Sequence, residues 1–282
     1  MEKDIDREKF KEKKRAELEA LYDAVNEETL MIAEDQEKFS AYLRVQARFN
    51  RYTVTNAIFL LHQFPDAQKL KTFEGWKQDG ASVKRGEKSI SILEPYSYTK
   101  ADGSMGKGFR IKKLFDISQT DLKQSPDPFL SGVSSRSLLR ALLEASPVET
   151  EAADTLDHGK DAVYDQEKQK IYIRRMLEPD DFFRAAAVSI AEAQLAEQGS
   201  SSQKKLRSRA EAAAFMLCVK YGIDPGRLRV KMPEAAAQME FKDIKAELSA
   251  IRKTFTGIAD RADESIRVQR KAGRERGYHE ER

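Results

Sequence analysis

The spacing of hydrophobic residues along the chain predicts several helices at its beginning. Apolar residues recur near helical spacing between residues 7 and 25 and again from Phe39 to Gln46, with charged residues between them. A third helix is expected to follow Thr55, whose hydroxyl suits an N-cap, and to end before Pro65. A short helix over residues 72–79 completes this helical part of the chain.

The pattern then changes to the period-two alternation of a β-hairpin. Residues 89–92 alternate between polar and apolar side chains, Asp102-Gly103 is typical of a tight turn, and residues 109–115 return as the partner strand. Because neighbouring side chains on a strand point to opposite faces, the return strand has two chemically different faces.

These two faces of the return strand differ in charge. Phe109, Ile111 and Phe115 share the face that we expect to be buried. Arg110 and Lys112 project from the opposite face, where a polyanionic ligand can reach them.

The second half of the chain alternates again between helices and strands. A stretch containing Pro, Gly and Ser over residues 120–134 indicates a linker. The elements expected beyond it are a helix over 135–145, a hairpin over 162–173, helices over 179–199 and 202–221, and a long polar helix over 235–272. The predicted fold class is therefore α+β. Its predicted domains are helices packed on a small antiparallel sheet (1–122), a second α+β unit (135–232) and a helical extension with a basic tail (233–282).

Composition excludes several classes of protein. The chain has 282 residues, of which 40% are hydrophobic and 34% are charged, as in a globular protein with solvated helices. Its one cysteine, Cys218, excludes a disulfide framework and a cysteine-based zinc site, and fits a reducing compartment. No apolar run approaches the roughly 20 residues of a membrane-spanning helix, and the first residues lack the apolar segment of a secretory signal. We therefore expect a cytoplasmic protein that does not act at a membrane.

Charge is distributed unevenly, although the formal net charge is only +3. Residues 1–39 carry 8 basic and 13 acidic side chains, residues 40–125 carry 15 and 8, and residues 126–282 carry 27 and 26. The middle segment, with a net charge of +7, is where a polyanion would dock, although charges also cluster by chance on solvated surfaces. The acidic first segment would instead suit a protein-binding module that imitates DNA.

Five short motifs, taken in order along the first 120 residues, resemble a known domain. They are residues 49–56 (FNRYTVTN), 63–67 (QFPDA), 73–76 (FEGW), 80–88 (GASVKRGEK) and 114–120 (LFDISQT). Their order and spacing resemble the N-terminal domain of ArdC-type antirestriction proteins, which are carried by conjugative plasmids and transposons. The resemblance covers roughly residues 5–122. One departure is Thr53, where the family usually has Ser, and the hydroxyl is kept.

The resemblance implies a domain that binds single-stranded DNA and shields incoming DNA from restriction after transfer. The residue types agree with this role, because single strands are bound by stacking rings, amides and cations. The candidate binding residues are Arg51, Tyr52, Asn56, Trp76, Lys84, Arg85, Lys88, Arg110 and Lys112. A single tryptophan in a small α+β domain is more often a core residue than a stacking one, so Trp76 can instead be core, and Tyr52 can equally be core. Asn56 can equally cap or bridge its helix neighbours, and Gly86 can simply permit a tight turn.

A second, weaker resemblance covers about residues 160–230. In the ArdC family a zincin-like metallopeptidase domain follows, with His-Glu-x-x-His on a helix whose two imidazoles hold zinc. Here Glu192 keeps the motif's residue, but the histidine positions are Ala191 and Leu195. The expected acidic ligand falls near Arg207, which cannot ligate a metal. We therefore expect a degenerate zincin-like unit that is not an enzyme and binds no metal or other cofactor.

Two other functions remain open from the sequence. One is a zinc metallopeptidase with non-standard ligands, and the other is a protein-interaction module of the DNA-mimic kind. The expected partners are single-stranded DNA and, beyond it, proteins of the restriction or transfer machinery.

Overall fold

Helices pack on a three-stranded sheet in each of the two units of the computed structural model. The structure describes residues 2–100, 102–122, 129–197, 199, 203–226 and 228–280. The first unit is drawn from Met1–Val45, Arg51–Ser125 and Met239–Lys245, and the second from Gln46–Asn50, Pro126–Gln238 and Ala246–Arg282. The predicted α+β class is confirmed. Much of the predicted linker (residues 123–128) lies outside the described residues.

The chain begins with helices and continues into the first sheet. The helices are α1 (Glu2–Glu34), α2 (Gln36–Arg48), α3 (Val54–Gln63) and α4 (Phe73–Gln78), and the strands are β1 (Leu70–Lys71), β2 (Ile90–Thr99) and β3 (Met105–Asp116). The strands are antiparallel in the order β1-β3-β2, and a 3-10 turn at Ile117–Gln119 follows them. The helix α3 packs against both α1 and β2. The predicted hairpin is therefore present, but its strands are longer than the pattern indicated.

Threonine caps fix the starts of the two short helices. The hydroxyl of Thr53 accepts a hydrogen bond from the backbone N–H of Asn56, so α3 begins two residues earlier than predicted, and the N-cap assignment to Thr55 is wrong. Thr72 caps α4 in the same way, through the N–H of Gly75. Gly80 then ends this turn at a φ of 79°, a backbone conformation that glycine adopts without strain.

The prediction of which face of β3 is buried is wrong at Phe109 in the outer half of the strand and misses Leu114 in the inner half. Phe109 is 54% exposed, whereas Leu114 is buried on the opposite face, in the same row as Arg110 and Lys112. The reason is that β3 pairs with β2 from Met105 to Leu114 and with β1 only at its last two residues. Burial therefore depends on position along the hairpin as well as on the face.

The second unit combines a mixed sheet with four helices. Its helices are α5 (Ser135–Glu144), α6 (Pro179–Glu197), α7 (Gln203–Tyr221) and the greater part of α8 (Phe241–Glu280), and its strands are β4 (Glu149–Ala153), β5 (Ala162–Asp165) and β6 (Lys170–Arg174). The strand order is β4-β6-β5, with β4 parallel and β5 antiparallel to β6. The predicted hairpin is β5-β6, and β4 was not predicted because its sequence ETEAA lacks apolar alternation.

Small residues let α6 and α7 approach each other closely in this unit. Most alanines of the two helices are fully buried, among them Ala186, Ala187, Ala193, Ala210, Ala213 and Ala214. The sheet contributes Ile171 and Ile173 to the core. Among the helices of the described chain, none is both long enough and apolar enough to span a membrane.

Candidate nucleic-acid interface

Trp76 lies in the core of the first unit. Its side chain is fully buried, packs with Ala81 and Ile117, and donates a hydrogen bond from Nε1 to the backbone oxygen of Phe115 at 2.8 Å. Because the indole ring is fully buried and its one polar group, Nε1–H, already has a partner, a base cannot stack on it. The expectation that Trp76 forms part of an exposed stacking surface is therefore wrong.

The side chain of Asn56 also has a structural role. Its Nδ2 donates to the backbone oxygen of Leu93, and its Oδ1 accepts from the backbone N–H of the same residue, both at 2.9 Å. Gln63 makes the equivalent pair of hydrogen bonds with Ser91, also at 2.9 Å. Asn56 is nearly fully buried, and its amide is already hydrogen-bonded. It is therefore not available for the predicted contact with a base or phosphate.

Tyr52 lines a groove of about 540 Å³ on the first unit, which we call the Tyr52 groove. Lys71, Asp79, Glu94 and Lys112 line the same groove. Partial burial raises the pKa of the Tyr52 hydroxyl above its usual range, so the group stays neutral and can act as a hydrogen-bond donor. The half-buried ring thus lies beside two lysines, each ion-paired with a carboxylate of the same groove: Lys71 with Asp79, and Lys112 with Glu94.

Arg110 and Lys112 lie side by side on one face of β3 and share a counter-ion. Glu94, opposite Arg110 in the β2-β3 register, accepts hydrogen bonds from Arg110 Nη2 at 2.6 Å and from Lys112 Nζ at 2.5 Å. The hydrogen bond from Lys112, followed by that from Arg110, holds the pKa of the Glu94 carboxyl below its usual range. The carboxylate therefore remains charged and partly neutralises both cations.

Lys84, Arg85 and Lys88 project from an exposed turn. Gly86 sits at its centre with a φ of 90°. The turn is tied to the 3-10 helix, since the backbone N–H of Lys84 donates to the oxygen of Gln119 at 2.9 Å and the Gln119 amide donates to the oxygen of Lys88 at 2.9 Å. This anchoring fixes the backbone of the turn, and the Lys84 ammonium itself donates to the backbone oxygen of Ser118 at 2.9 Å.

The nine predicted residues therefore fall into three groups. They are the buried Trp76 and Asn56, the groove and hairpin residues Tyr52, Arg110 and Lys112, and the exposed turn residues Lys84, Arg85 and Lys88, with Arg51 exposed next to Tyr52 in the sequence. The sequence reasoning missed two exposed rings, Tyr96 and Tyr98, on the outer part of β2. The signal was present, because these tyrosines continue the alternation that begins at residue 89.

The domain that carries these groups matches a known family. Residues 17–123 match the family model described as the N-terminal domain of anti-restriction factor ArdC. This segment is similar to the N-terminal domain of ArdC. The match covers the Tyr52 groove, the basic turn and the whole β2-β3 hairpin.

Two crystal structures of the antirestriction protein ArdC from plasmid R388 are similar to the chain, each at 16% sequence identity. The metal-free structure has a TM-score of 0.45 and aligns over 77% of this chain and 84% of that one. The Mn(II)-bound structure has a TM-score of 0.48 and aligns over 76% and 85%, respectively. No curated protein matches the chain.

In the second unit, an ion-pair cluster includes two residues that the sequence resemblance compares with a zincin metal site, Glu192 and Arg207. Arg207 donates from Nη1 to Glu192 at 2.7 Å and from Nε to Glu211 at 2.9 Å. Ala191 and Leu195 are buried and have no lone pair to offer. The donor set therefore does not fit a three-ligand zinc site, and within the described residues no group of three His, Cys, Asp or Glu side chains is placed to hold a metal.

Proposed function

We propose that this chain binds single-stranded DNA through its first unit and acts in antirestriction during the transfer of a mobile genetic element. One observation carries the binding proposal: the cations Arg110 and Lys112 and the ring of Tyr52 converge on one surface. The antirestriction role is supported by the ArdC N-terminal domain at residues 17–123.

The chemistry of this surface favours a single strand over a duplex. A single strand exposes the faces of its bases as well as its phosphates, so it can use rings and cations at the same time. The contacts here are a ring, a neutral hydroxyl and cations, none of which distinguishes one base sequence from another. We therefore expect binding that tolerates many sequences.

Fluorescence anisotropy with a labelled 20-nucleotide strand and the matching duplex tests the binding proposal. If three to five phosphates are contacted, log K should fall with log[salt] with a slope of roughly −2 to −3.5. The Arg110→Gln/Lys112→Gln variant should weaken binding and make this slope shallower. Its matched control is Lys168→Gln/Arg175→Gln, which removes two cations that are also paired with carboxylates, but in the second unit. Absence of binding to the single strand at low salt, with folded protein, would overturn the proposal.

The antirestriction role has its own test. Unmodified plasmid DNA is introduced by conjugation into a restricting host that does or does not express the chain. Expression should raise the number of transconjugants in the restricting host and leave it unchanged in a non-restricting one. Equal numbers in both hosts, with and without expression, would contradict the role even if DNA is bound.

For the second unit we infer a role other than zinc-dependent peptide hydrolysis. The inference is supported by the Arg207 guanidinium, which already satisfies Glu192, the residue at the position of the general base. An ion-paired carboxylate with no histidine at the neighbouring positions, Ala191 and Leu195, lacks the metal ligands that a zinc-dependent hydrolase needs.

A further inference from the structure

The outer half of the β2-β3 hairpin has two tyrosines facing two glycines. In the strand register Tyr96 lies opposite Gly108, and Tyr98 lies opposite Gly106. Both rings are exposed, at 41% and 43%, although they are large apolar groups. Because alternate residues of a strand share a face, all four residues lie on one side of the hairpin.

The two rings lie directly on the glycine backbone. A β-carbon on Gly106 would be 2.6 Å from Cζ of Tyr98, and one on Gly108 would be 2.9 Å from Cζ of Tyr96. Any larger residue would push the ring away, so each glycine provides the space that its tyrosine covers. Covering a strand glycine with an aromatic ring from the neighbouring strand is a known way to stabilise a sheet.

This packing leaves the second face of each ring open to solvent. The ring centroids of Tyr96 and Tyr98 are 5.8 Å apart and their planes are inclined by 40°, so the rings form one continuous surface. We call the set of Tyr96, Tyr98, Gly106 and Gly108 the tyrosine platform. The glycine backbone supports the inner face of each ring.

The tyrosine platform adjoins the cations of the hairpin. Arg110 is the next residue after Gly108 on the same face, and its partner in the register is Glu94, which precedes Tyr96 on that face. Neighbouring positions on one face of a strand are about 7 Å apart. A strand of DNA can therefore place phosphates at Arg110 and Lys112 while its next bases reach the rings.

We propose that Tyr96 and Tyr98 are the base-stacking residues of this protein, and that their ligand is single-stranded DNA whose phosphates contact Arg110 and Lys112. The proposal rests on the single-strand binding proposed above and names the residues that recognise the bases. It assigns to the platform the part that the sequence suggested for Trp76, which is buried. Charge complementarity favours a nucleic acid as the occupant, because cations border the rings on the same face.

The test separates stacking from charge by using two oligonucleotides of equal length. One is oligothymidine, and the other has abasic sites throughout, so it keeps the phosphates and lacks the bases. Wild-type protein should bind oligothymidine more tightly than the abasic strand. The Tyr96→Ala/Tyr98→Ala variant should bind oligothymidine at least about tenfold more weakly than wild type, since stacking on one ring is worth about a factor of ten. Its affinity for the abasic strand should equal that of wild type.

Two further variants serve as controls. Tyr96→Phe/Tyr98→Phe keeps both rings and should retain wild-type affinity for both strands. Phe109→Ala removes an exposed ring from the opposite face of the same hairpin and should also leave binding unchanged. A strand containing 5-iododeoxyuridine adds a readout on the wild-type protein, because photocrosslinks should map to the peptide containing Tyr96 and Tyr98.

The possible results distinguish the two proposals. If wild type binds oligothymidine and the double alanine variant binds it equally well, the tyrosine platform is wrong and single-strand binding stands. If wild type binds the two strands equally, stacking is absent and the platform is again overturned. If wild type binds neither strand, the proposed function fails and the platform fails with it.

Discussion

The side chain of Asn56 pairs with the backbone of Leu93 as a neighbouring strand would. The two hydrogen bonds, one donated and one accepted by the amide, are both 2.9 Å long. Gln63, two helical turns later on α3, repeats the arrangement at Ser91. The next residue in this row of β2 is Pro95, which has no N–H to satisfy. The helix α3 thereby covers the edge of the sheet that β2 would otherwise leave open.

Removing this pairing should destabilise the first unit. Asn56→Ala leaves a buried N–H and a buried C=O of Leu93 without partners, which should cost about 1–3 kcal/mol. Urea denaturation followed by circular dichroism measures the loss. A loss of less than about 0.5 kcal/mol in the free energy of unfolding would mean that water replaces the amide at Leu93. The edge of β2 would then not depend on α3 for its stability.

Asn56→Asp should give a destabilisation that depends on pH. The carboxylate can still accept from the Leu93 N–H but repels the Leu93 oxygen, whereas the protonated acid can donate to it. Burial and this oxygen should both raise the pKa of the introduced Asp. The variant should therefore lose more stability relative to wild type at pH 7 than at pH 4.5, while Asn56→Ala should show no such difference. Equal losses for Asn56→Asp at both pH values would contradict this account.

Trp76 should behave as a core residue in solution. Trp76→Ala should cost about 3–5 kcal/mol of stability, and Trp76→Phe a smaller amount, about 1–3 kcal/mol, for the lost hydrogen bond to Phe115 and the lost volume. Trp76 is the one tryptophan of the chain, so its fluorescence reports on this site directly. We expect blue-shifted emission, weak quenching by acrylamide, and wild-type affinity of the Trp76→Phe variant for single-stranded DNA. Strong quenching in the folded protein would show that the ring is exposed.

Glu94 should oppose DNA binding. Its carboxylate occupies Arg110 and Lys112, so Glu94→Gln removes one negative charge and releases two cations for phosphates. We expect about three- to tenfold tighter binding of single-stranded DNA at low salt, and a log K versus log[salt] slope that is steeper by roughly 0.7–1.4. The matched control is Glu264→Gln, which removes a carboxylate from Arg267 in the second unit. The same gain in both variants would mean that net charge alone acts and that the hairpin has no special part.

A chelator should leave the second unit unchanged. Arg207 holds Glu192 and Glu211, and Ala191 and Leu195, which the sequence resemblance compares with the two histidines of a zincin, have no lone pair to offer. Purified protein should therefore contain less than stoichiometric zinc by elemental analysis, and its Tm should not change with EDTA. If EDTA lowered the Tm and added zinc restored it, the native protein would bind a metal. That result would contradict the inference that Arg207, Glu192 and Glu211 form an ion-pair cluster without a metal.

Most elements of this chain were predictable because their signals are local, although the N-cap of α3 was placed two residues too late. The errors that matter for the site arose where the outcome depends on distant residues. The cap at Thr72 and the turn at Gly80 follow from residues a few positions apart. By contrast, the burial of Trp76 is set by Phe115 and Ile117, about forty residues later. Nothing near Trp76 in the sequence distinguishes a core ring from a stacking ring.

The candidate site also combines features that local sequence signals predict with features that depend on distant residues. Arg110 and Lys112 were correctly placed together on one face, because strand alternation requires it. Their neutralisation by Glu94 depends on the register of β2 against β3, which the sequence pattern did not define. The tyrosine platform needs that register too, since only the pairing of Tyr96 with Gly108 and of Tyr98 with Gly106 shows that the rings lie on glycine.

Cys218 should be unreactive in the native protein. The thiol is fully buried, and burial raises its pKa to about 12, so almost no thiolate exists at pH 8. We expect negligible reaction with a disulfide reagent such as DTNB under native conditions, and one equivalent in 6 M urea at about pH 8, since the chain has one cysteine. In the unfolded chain the thiol has its ordinary pKa of about 8.5, so between this value and about 12 only the unfolded state loses the proton. This group should therefore lower the stability as the pH rises through that window, and Cys218→Ala should reduce the decline. Rapid labelling of the native protein at pH 8 would show that the core around α7 opens far more often than its packing indicates.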